Sequence, residues 1–473
     1  TPPQRMRHPP ARRLLPTLLL VVLGAFALRD FARLGEALPW RNMDDFPDFY
    51  CAGDALNQGG NPYTYEPLRT CEHRVNTGDG FRARLFASNP SVAVPAPLPP
   101  FDLLPLRALA RLPFEEARFF DALAIVAAIG LCVAALAAMG IPWPLSAAAL
   151  ALSALYVELN AGQIVPFALL ALVLCGLALS RRRDALAGVF AAFAVISPTA
   201  GLPAVAAMLL FVPRARWAAL ATLLAFAAIS VAMVGMHVLG TYVAGVLPAQ
   251  AAAEVHFPYQ FSLTYALAYI GVPARAAEFA GTASYFVMLG AGLLLSPRAA
   301  AATQRRELFA FLPVLFTTIA ATYVHQEELA FAIPALLVLA VGADGIARIA
   351  LAVSLSLLSI PWILVWGSKQ LFAASIVSCA VILFQLRVGL KPALGALCAI
   401  ALVVYLFELH PPYVPAPGPT SHIYASDALV QEEWRWYAMQ RTSRDPLWFA
   451  IKLPAWSALL AGFGIAFTFR RKV

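Results

Sequence analysis

Apolar stretches of about 17 to 30 residues recur along this 473-residue chain, from residue 12 almost to its end, and each could cross a bilayer core as a helix. Only 13% of the residues are charged, whereas soluble domains usually carry about 25%. No soluble core of ordinary size would use so many uninterrupted apolar helices. The sequence therefore predicts an all-α polytopic membrane protein.

Short basic clusters between the apolar stretches indicate the orientation of the chain, because Lys and Arg concentrate in short cytoplasmic loops. The clusters lie at 5–13, 181–183, 214–216, 298–306, 348, 387–391 and 470–472. They predict that both termini are cytoplasmic. The net charge of +8 is thus a topology signal, and we expect no nucleic-acid partner, since no single basic face is evident.

About twelve membrane spans are predicted. They lie at 12–33, 118–139, 142–160, 163–180, 217–246, 277–296, 308–324, 328–343, 347–366, 370–387, 392–408 and 451–469. The first is expected to stay as an anchor, because no small-residue cleavage site follows it. The stretch 185–212 has basic clusters on both sides, so we expect a re-entrant pair of short helices, broken at Ser197-Pro198.

These predictions divide the chain into five segments. They are a cytoplasmic N-terminus with the first span (1–34), a first extracytoplasmic loop (35–117), a transmembrane bundle (118–408), a second large loop (409–450), and a last span with a basic tail (451–473). We expect helices in both large loops, and extracytoplasmic loops of this length usually carry function. No internal repeat is visible, which weakens a transporter interpretation.

The start of the first loop concentrates acidic side chains. Asp44, Asp45, Asp48 and Asp54 fall within eleven residues, and from composition alone a solvated acidic loop is the more ordinary interpretation. The alternative is that one carboxylate is enclosed and acts as a general base. Helical spacing over 50–56, followed by the turn 59–62, predicts a short helix with Asp45 at its N-terminal edge.

This loop closely resembles the signature of bacterial GT-C superfamily glycosyltransferases, in particular the polyprenol-phosphate-mannose-dependent α-mannosyltransferases. The matching pattern runs Asp45-Phe46-x-x-Phe49-Tyr50-x-Ala52-Gly53-x-Ala55-Leu56-x-x-Gly59-Gly60-Asn61-Pro62-Tyr63. Further matches are Leu98-Pro99-Pro100, Gly162-Gln163, Gln260-Phe261-Ser262-Leu263 and His325-Gln326-Glu327. The chain departs from the family at Ser197, where Lys is general, and at Leu98, where Tyr is usual.

The resemblance implies a GT-C-like fold in a bacterial plasma membrane, with the active site on the extracytoplasmic side. A sugar, most often mannose in that family, would pass from polyprenyl phosphate to the hydroxyl of a lipid or glycan acceptor, with inversion. Asp45 would be the base, and Asp48, three residues on, is the second candidate. Positive groups must hold the leaving phosphate, and His325 is the leading contact. The other donor-binding candidates are Gln326, Glu327, Gln163, Gln260, Arg107, Arg111 and Arg118, although interfacial snorkelling is the commoner explanation for arginines in such positions.

No metal-ligand spacing, P-loop or dinucleotide glycine pattern is present, so we expect neither a metal nor a cofactor. Of the six cysteines, four lie in apolar stretches, where a thiol packs as a small apolar group. Cys51 and Cys71 share the first loop, and an extracytoplasmic compartment would keep them as a disulfide. The alternative is a pair of free interfacial thiols.

Two other functions stay open. A lipid or sugar transporter or flippase would need ionisable residues inside its spans, and most charges here lie at predicted helix ends. A non-catalytic membrane subunit of GT-C type is compatible with the departures at Ser197 and Leu98. Under either alternative membrane lipids remain partners of the chain.

Overall fold

The computed structural model describes residues 43–76, 81–413, 415 and 424–468. The predicted first span at 12–33 and the basic clusters at 5–13 and 470–472 lie outside these residues. Within the described residues the chain is helical and contains no β-strand. This confirms the predicted all-α class.

In chain order the helices begin with α1 (Phe46–Asn57), α2 (Tyr65–Val75), α3 (Phe81–Ser88), α4 (Leu103–Leu109), α5 (Phe114–Ala138), α6 (Trp143–Leu150), α7 (Val157–Ala161), α8 (Val165–Ser180), α9 (Asp184–Phe193), α10 (Pro198–Phe211) and α11 (Pro213–Thr241). They continue with α12 (Leu247–Glu254), α13 (Leu263–Tyr269), α14 (Ala274–Thr303), α15 (Leu308–Thr317), α16 (Ile333–Gly342), α17 (Gly345–Leu358), α18 (Lys369–Gln385), α19 (Leu390–Leu409), α20 (Val430–Gln440), α21 (Leu447–Ala450) and α22 (Leu453–Thr468). Proline occupies the first turn of many of them, including α1, α6, α8, α10 and α11. There its missing N–H is not needed and its fixed φ favours a helix.

Six described helical stretches are long and apolar enough to cross a bilayer. They are Phe114–Ala138, Trp143–Ala161, Pro213–Glu254, Ala274–Thr303, Leu390–Leu409 and Leu447–Thr468. Apolar helices of 10 to 17 residues, among them α8, α15 and α18, fill the rest of the bundle. The protein is therefore a multi-pass membrane protein, and several predicted spans are built from shorter helices than a full crossing needs.

The stretch 185–212 forms a helical hairpin. After α9, a 3₁₀ turn leads to Ser197, whose backbone is extended (φ −107°, ψ 108°), and Pro198 opens α10. Gly188 in α9 packs against Ala215 at the start of α11, so closely that an added Cβ would lie 2.1 Å from the Ala215 carbonyl oxygen. The chain thus returns to the level at which α9 began, with its break where proline predicts it.

The predicted spans 308–324 and 328–343 differ from the structure. Helix α15 ends at Thr317, and a 3₁₀ turn at Glu327–Ala332 precedes α16. The backbone between them is irregular but satisfied: the Val324 N–H donates to Gln260 Oε1 (2.7 Å), and the Val324 carbonyl accepts from the Phe261 N–H (2.6 Å). Buried backbone tolerates such unwinding only when its polar groups find partners, and hydropathy carries no information about those partners.

The predicted span 217–246 also differs from the structure, where the helix is longer. The helix continues from α11 through a π-helical turn (Tyr242–Val246) into α12, and stops at Glu254. Pro248 falls in the first turn of α12, where proline is tolerated. The extension carries Gln250 and Glu254 over the end of the bundle, in a segment that hydropathy predicts as loop.

The two large loops pack together as one layer over one end of the bundle. The Tyr65 N–H donates to the Ala428 carbonyl (2.8 Å), and the Val430 N–H donates to the Tyr63 carbonyl (3.1 Å). A disulfide joins Cys51 of α1 to Cys71 of α2, with Cα atoms 5.6 Å apart. This layer holds α1 against the bundle and forms the roof of the cavity described next.

Candidate active site

A cavity of about 690 Å³ lies between the loop layer and the bundle. Its wall combines the start of α1, the extended segment 94–99, the α7–α8 turn, the Ser197-Pro198 break, α12, segment 323–328 and α20. The predicted site residues that line it are Asp45, Asp48, Gln163, His325, Gln326 and Glu327. Elements distant in sequence therefore bring together most of the motifs that resemble the glycosyltransferase family.

Asp45 is fixed at this wall through both its backbone and its side chain. It occupies the N-cap position of α1, yet its carboxylate makes no capping hydrogen bond. Instead Oδ2 accepts from Gln163 Nε2 at 2.6 Å, and its backbone N–H donates to the Ala161 carbonyl at 2.7 Å. The helix thus sets the position of the residue, while the α7–α8 turn sets the direction of the carboxylate.

The α7–α8 turn requires glycine at position 162 for two reasons. Its φ is +73°, a left-handed conformation that a side chain disfavours. A Cβ there would also lie 2.8 Å from the Phe46 Cβ and 3.2 Å from the Phe46 backbone nitrogen. Only glycine lets α1 approach closely enough for Gln163 to reach Asp45.

Asp48 lines the same cavity one turn along α1, with only 2% of its surface exposed. Asp44 lines it as well, and its backbone N–H donates to the Asn160 carbonyl (3.1 Å). Three of the four clustered carboxylates therefore line the cavity. The fourth, Asp54, instead pairs with Arg74 of α2 (2.7 Å). The solvated-loop interpretation fits Asp54 but not the other three.

His325 lies in the irregular segment between α15 and α16, and 29% of its side chain is exposed. Gln260 Nε2 lies 2.9 Å from His325 Nε2 and donates to Glu254 Oε2 at 2.7 Å. Burial opposes protonation of His325, but the nearby carboxylates of Glu327, Glu254, Glu328 and Asp45 outweigh it and raise the pKa of the imidazole. These carboxylates thus stabilise the protonated imidazole, whereas the Gln260 amide, a donor, contacts an Nε2 that must accept.

Glu254 links this histidine to the second large loop. Its Oε1 accepts from Gln250 Nε2 (3.0 Å) and from Trp434 Nε1 of α20 (2.9 Å). Gln260 does not line the cavity itself; it connects Glu254, His325 and the Val324 backbone. The Gln-Phe-Ser-Leu and His-Gln-Glu motifs are therefore two parts of one hydrogen-bonded network.

Gln326, Glu328 and Ser197 hold the irregular segment in place. Gln326 Oε1 accepts from the Ile363 N–H (2.8 Å). Glu328 Oε2 accepts from the His325 N–H (3.0 Å), and Oε1 accepts from Thr199 Oγ1 (2.9 Å) and Ser197 Oγ (3.4 Å). Ser197, where the family generally has Lys, thus binds a carboxylate at the cavity wall.

The three predicted arginines lie away from the cavity. Arg107 Nε donates to Asn57 Oδ1 of α1 (3.3 Å), Arg111 is exposed, and Arg118 pairs with Glu115 and packs over the Phe114 ring. Among the described residues, the arginine that lines the cavity is Arg441. Its Nη1 donates to Tyr437 Oη (2.6 Å) and its Nη2 donates to Tyr259 Oη (3.3 Å). The second loop contributes this arginine, and hydropathy alone carries no signal for it.

Several residues at the wall, and Glu158 next to it, were not among the residues predicted from the sequence. An aromatic group, Phe257, Tyr259, Trp434, Tyr437 and Trp448, forms one side of the cavity. Glu158 of α7 is fully buried, and neither of its carboxylate oxygens has a hydrogen-bond partner in the part of the chain described. A signal for Glu158 was present, because an acidic residue inside an apolar span usually marks a functional site. Among the described residues no three His, Cys, Asp or Glu side chains are arranged to hold a metal ion.

Comparison with known protein families gives a match over part of the chain. Residues 98–324 match the model of Glycosyltransferase family 87. Neither the curated proteins nor the solved structures gave a match. The matched range includes Gln163, Gln260 and the hairpin, and stops one residue before His325. Over residues 98–324, just under half of its length, the chain is therefore similar to glycosyltransferase family 87, a GT-C-type family of membrane glycosyltransferases.

Proposed function

We propose that the protein transfers a sugar, in the first instance mannose, from a polyprenyl-phosphate donor to an acceptor hydroxyl, with Asp45 as general base. The observation that carries the proposal is a carboxylate oriented by Gln163 in the same cavity as His325, whose pKa the surrounding carboxylates raise. A base and a positive group are what displacement of a lipid phosphate requires.

In this reaction the acceptor oxygen attacks the anomeric carbon and loses its proton to Asp45. The bond between that carbon and the phosphate oxygen breaks, and polyprenyl phosphate leaves with the electron pair. His325 would contact the phosphate before and during this step, and Gln260 with Glu254 would orient its imidazole. No acid is needed for the leaving group, because the phosphate leaves as a stable anion.

The loop layer supports the proposed location of the reaction. It contributes Asp45, three of the aromatic residues (Trp434, Tyr437 and Trp448) and Arg441 to the cavity, whereas the bundle contributes His325 and Gln163. Substrate pockets are commonly apolar with a few placed polar groups, and aromatic faces suit the apolar side of a sugar ring. We therefore propose that the active site faces the extracytoplasmic side of the plasma membrane, where a lipid or glycan acceptor would enter.

The test measures release and transfer of labelled mannose from polyprenyl-phosphate-mannose by the purified protein, with membrane lipids as acceptors. Asp45→Asn should lower turnover by about 100-fold or more, the lower range of general-base catalysis, while donor binding persists. His325→Ala should weaken donor affinity and slow turnover together.

Asp48→Asn is the matched control, since it removes a charge from the same helix and the same cavity. Near-normal turnover of Asp45→Asn would contradict the assignment of the base. Inactivity of Asp48→Asn with an active Asp45→Asn would move the base to Asp48. Movement of intact donor across the membrane without any transfer would support a flippase instead.

A further inference from the structure

A second cavity, of about 450 Å³, lies at the opposite end of the bundle from the active site. Helix α8 connects the two: Val165 at its start lines the first cavity, and Ser180 at its end lines the second. Sixteen helical residues span about 24 Å. The second cavity therefore lies at helix ends, where the apolar bundle gives way to the polar boundary of a membrane.

Two basic clusters that are far apart in sequence converge on this cavity. Arg182 follows α8, and Arg305 and Arg306 follow α14; all three line it, against a single acidic residue, Glu307. Arg305 Nε lies 2.5 Å from Glu307 Oε1 and Arg306 Nη2 lies 3.0 Å from Asp184 Oδ1. Arg305 Nη2 also donates to the Met139 carbonyl (3.0 Å) and Arg306 Nη1 to the Leu179 carbonyl (3.4 Å). These contacts hold the two guanidinium groups in place but use only some of the five N–H donors that each carries.

The backbone has a positive φ at two positions of this cavity, one after each of the helices α8 and α14. Arg182 (φ +55°) and Gln304 (φ +58°) are left-handed, and both line the cavity. Each follows the end of a helix, and the next N–H closes the turn, from Arg183 to the Ala178 carbonyl (2.8 Å) and from Arg305 to the Ala300 carbonyl (3.1 Å). Glycine is the usual residue at such a position, and a side chain there costs about 1 kcal/mol or more.

A long polar side chain at a position that favours glycine indicates that the side chain has a role, since backbone strain is retained where function requires it. Of the four described non-glycine residues with positive φ, two line this one cavity. Convergent arginines in a cavity at a membrane boundary suit a phosphate group, which guanidinium binds through paired hydrogen bonds.

We propose that this cavity binds the phosphodiester headgroup of an anionic phospholipid, with Arg182 as the principal contact and Arg305 and Arg306 as fixed donors. Basic pockets between membrane helices select such headgroups by charge. The proposal is independent of the sugar-transfer reaction, because it concerns the opposite end of the bundle.

The test follows thermal unfolding of the purified full-length chain in neutral detergent. Phosphatidylglycerol should raise Tm by several degrees, while phosphatidylcholine and inorganic phosphate should not. Arg182→Gly should have an unchanged or higher Tm without lipid, because glycine accepts the left-handed backbone, yet should lose at least half of the increment given by phosphatidylglycerol. Arg182→Gln, which keeps a long side chain without its charge, should lose the increment as well.

Arg387→Gly is the matched control. Arg387 is also an exposed arginine with left-handed backbone (φ +53°) just after a helix, but it does not line the cavity. It should therefore keep the full increment. The proposal is overturned if both Arg182 variants keep the increment, if Arg387→Gly loses as much, or if phosphatidylcholine gives the same increment. An equal shift with inorganic phosphate would also overturn it, in favour of a free-phosphate site.

Discussion

At the scale of single residues, the proposed base depends on a glycine far away in the chain. Gln163 reaches Asp45 across 118 positions of sequence, and it does so because Gly162 allows α1 to approach the α7–α8 turn. The glycine is required twice, once for its positive φ and once for the missing side chain. These two requirements can be separated by experiment.

Gly162→Ala should lower transfer activity by about 10- to 100-fold, since displacement of a catalytic group by about 1 Å costs up to that much. The expected cause is displacement of Phe46 and with it the Asp45 carboxylate. Gly140→Ala is the control: its φ is +84°, but nothing lies within 4 Å of an added Cβ. Tm measured on both variants should show destabilisation in each, larger in Gly162→Ala because of the added steric overlap, and kinetics should show loss of activity in Gly162→Ala alone.

A second residue-scale prediction concerns Glu433 of α20, which is 1% exposed. Burial raises the pKa of Glu433 to about 8. The Ala93 N–H donates to Glu433 Oε2 (3.2 Å) and favours the ionised form, but this effect is smaller than that of burial. An unfolded chain ionises such a carboxyl near about 4.3, so folding takes up a proton between these values. This side chain therefore makes the protein progressively less stable as pH rises from about 4.3 to 8.

Glu433→Gln cannot ionise and should melt several degrees above the parent at pH 8.5, with the difference vanishing below about pH 4.3. Thermal unfolding across this pH range measures it. Glu432→Gln, at the exposed neighbouring position, should keep the slope of the parent. A pH-independent gain in Glu433→Gln would show that ionisation of this carboxyl is not the cause.

At the scale of elements, the loop helices are placed by covalent and backbone links rather than by apolar burial alone. The disulfide between α1 and α2 encloses the turn at Gly59, whose φ of +74° ends α1. The backbone pairing between 63–65 and 428–430 then joins both loops. Helix α1, which carries Asp45 at its start, is thus held at both ends.

Loss of the disulfide should therefore loosen the site. Closing a loop of this size contributes about 3 kcal/mol in the chain-entropy model, so Cys51→Ser with Cys71→Ser should lower Tm and transfer activity together. Alkylation without prior reduction should leave Cys51 and Cys71 unmodified, and mass spectrometry of the digested protein measures this. Cys398→Ser, which removes an exposed free thiol, should change neither property. Alkylation of both loop cysteines without reduction would contradict the bridge.

At the scale of the whole molecule, the hairpin of α9 and α10 decides the orientation of all that follows, because one extra crossing would invert every later loop. Gly188 contacts Ala215, and this contact brings the basic clusters 181–183 and 214–216 to the same end of the bundle. The convergence of the clusters 181–183 and 298–306 on one cavity agrees with the same assignment.

Single cysteines at Arg183 and Arg214, in a chain lacking Cys398, test this topology. Both positions are exposed, and both should react with a membrane-impermeant maleimide only after the membrane is permeabilised. A cysteine at Glu432 should react from outside without permeabilisation. If one of the two hairpin positions reacted from outside, the stretch 185–212 would be a crossing and the predicted orientation would be wrong.

The sequence by itself determined the helical class, the hairpin break and the place of α1. These follow from local physics: apolar length, proline that cannot continue a helix, and glycines that end one. The motifs around Asp45, Gln163 and His325 were also recognisable as short patterns. What each of them contacts was not, because contacts between distant segments leave no local pattern.

Only the tertiary structure decided that α15 unwinds before His325, that Gln260 and Glu254 support this histidine, and that Arg441 rather than Arg107, Arg111 or Arg118 lines the cavity. The physical reason is the same in each instance. Unwound backbone and buried charge are stable only beside particular partners, and those partners come from segments up to hundreds of residues away. Folding, not local sequence, brings them within hydrogen-bonding distance.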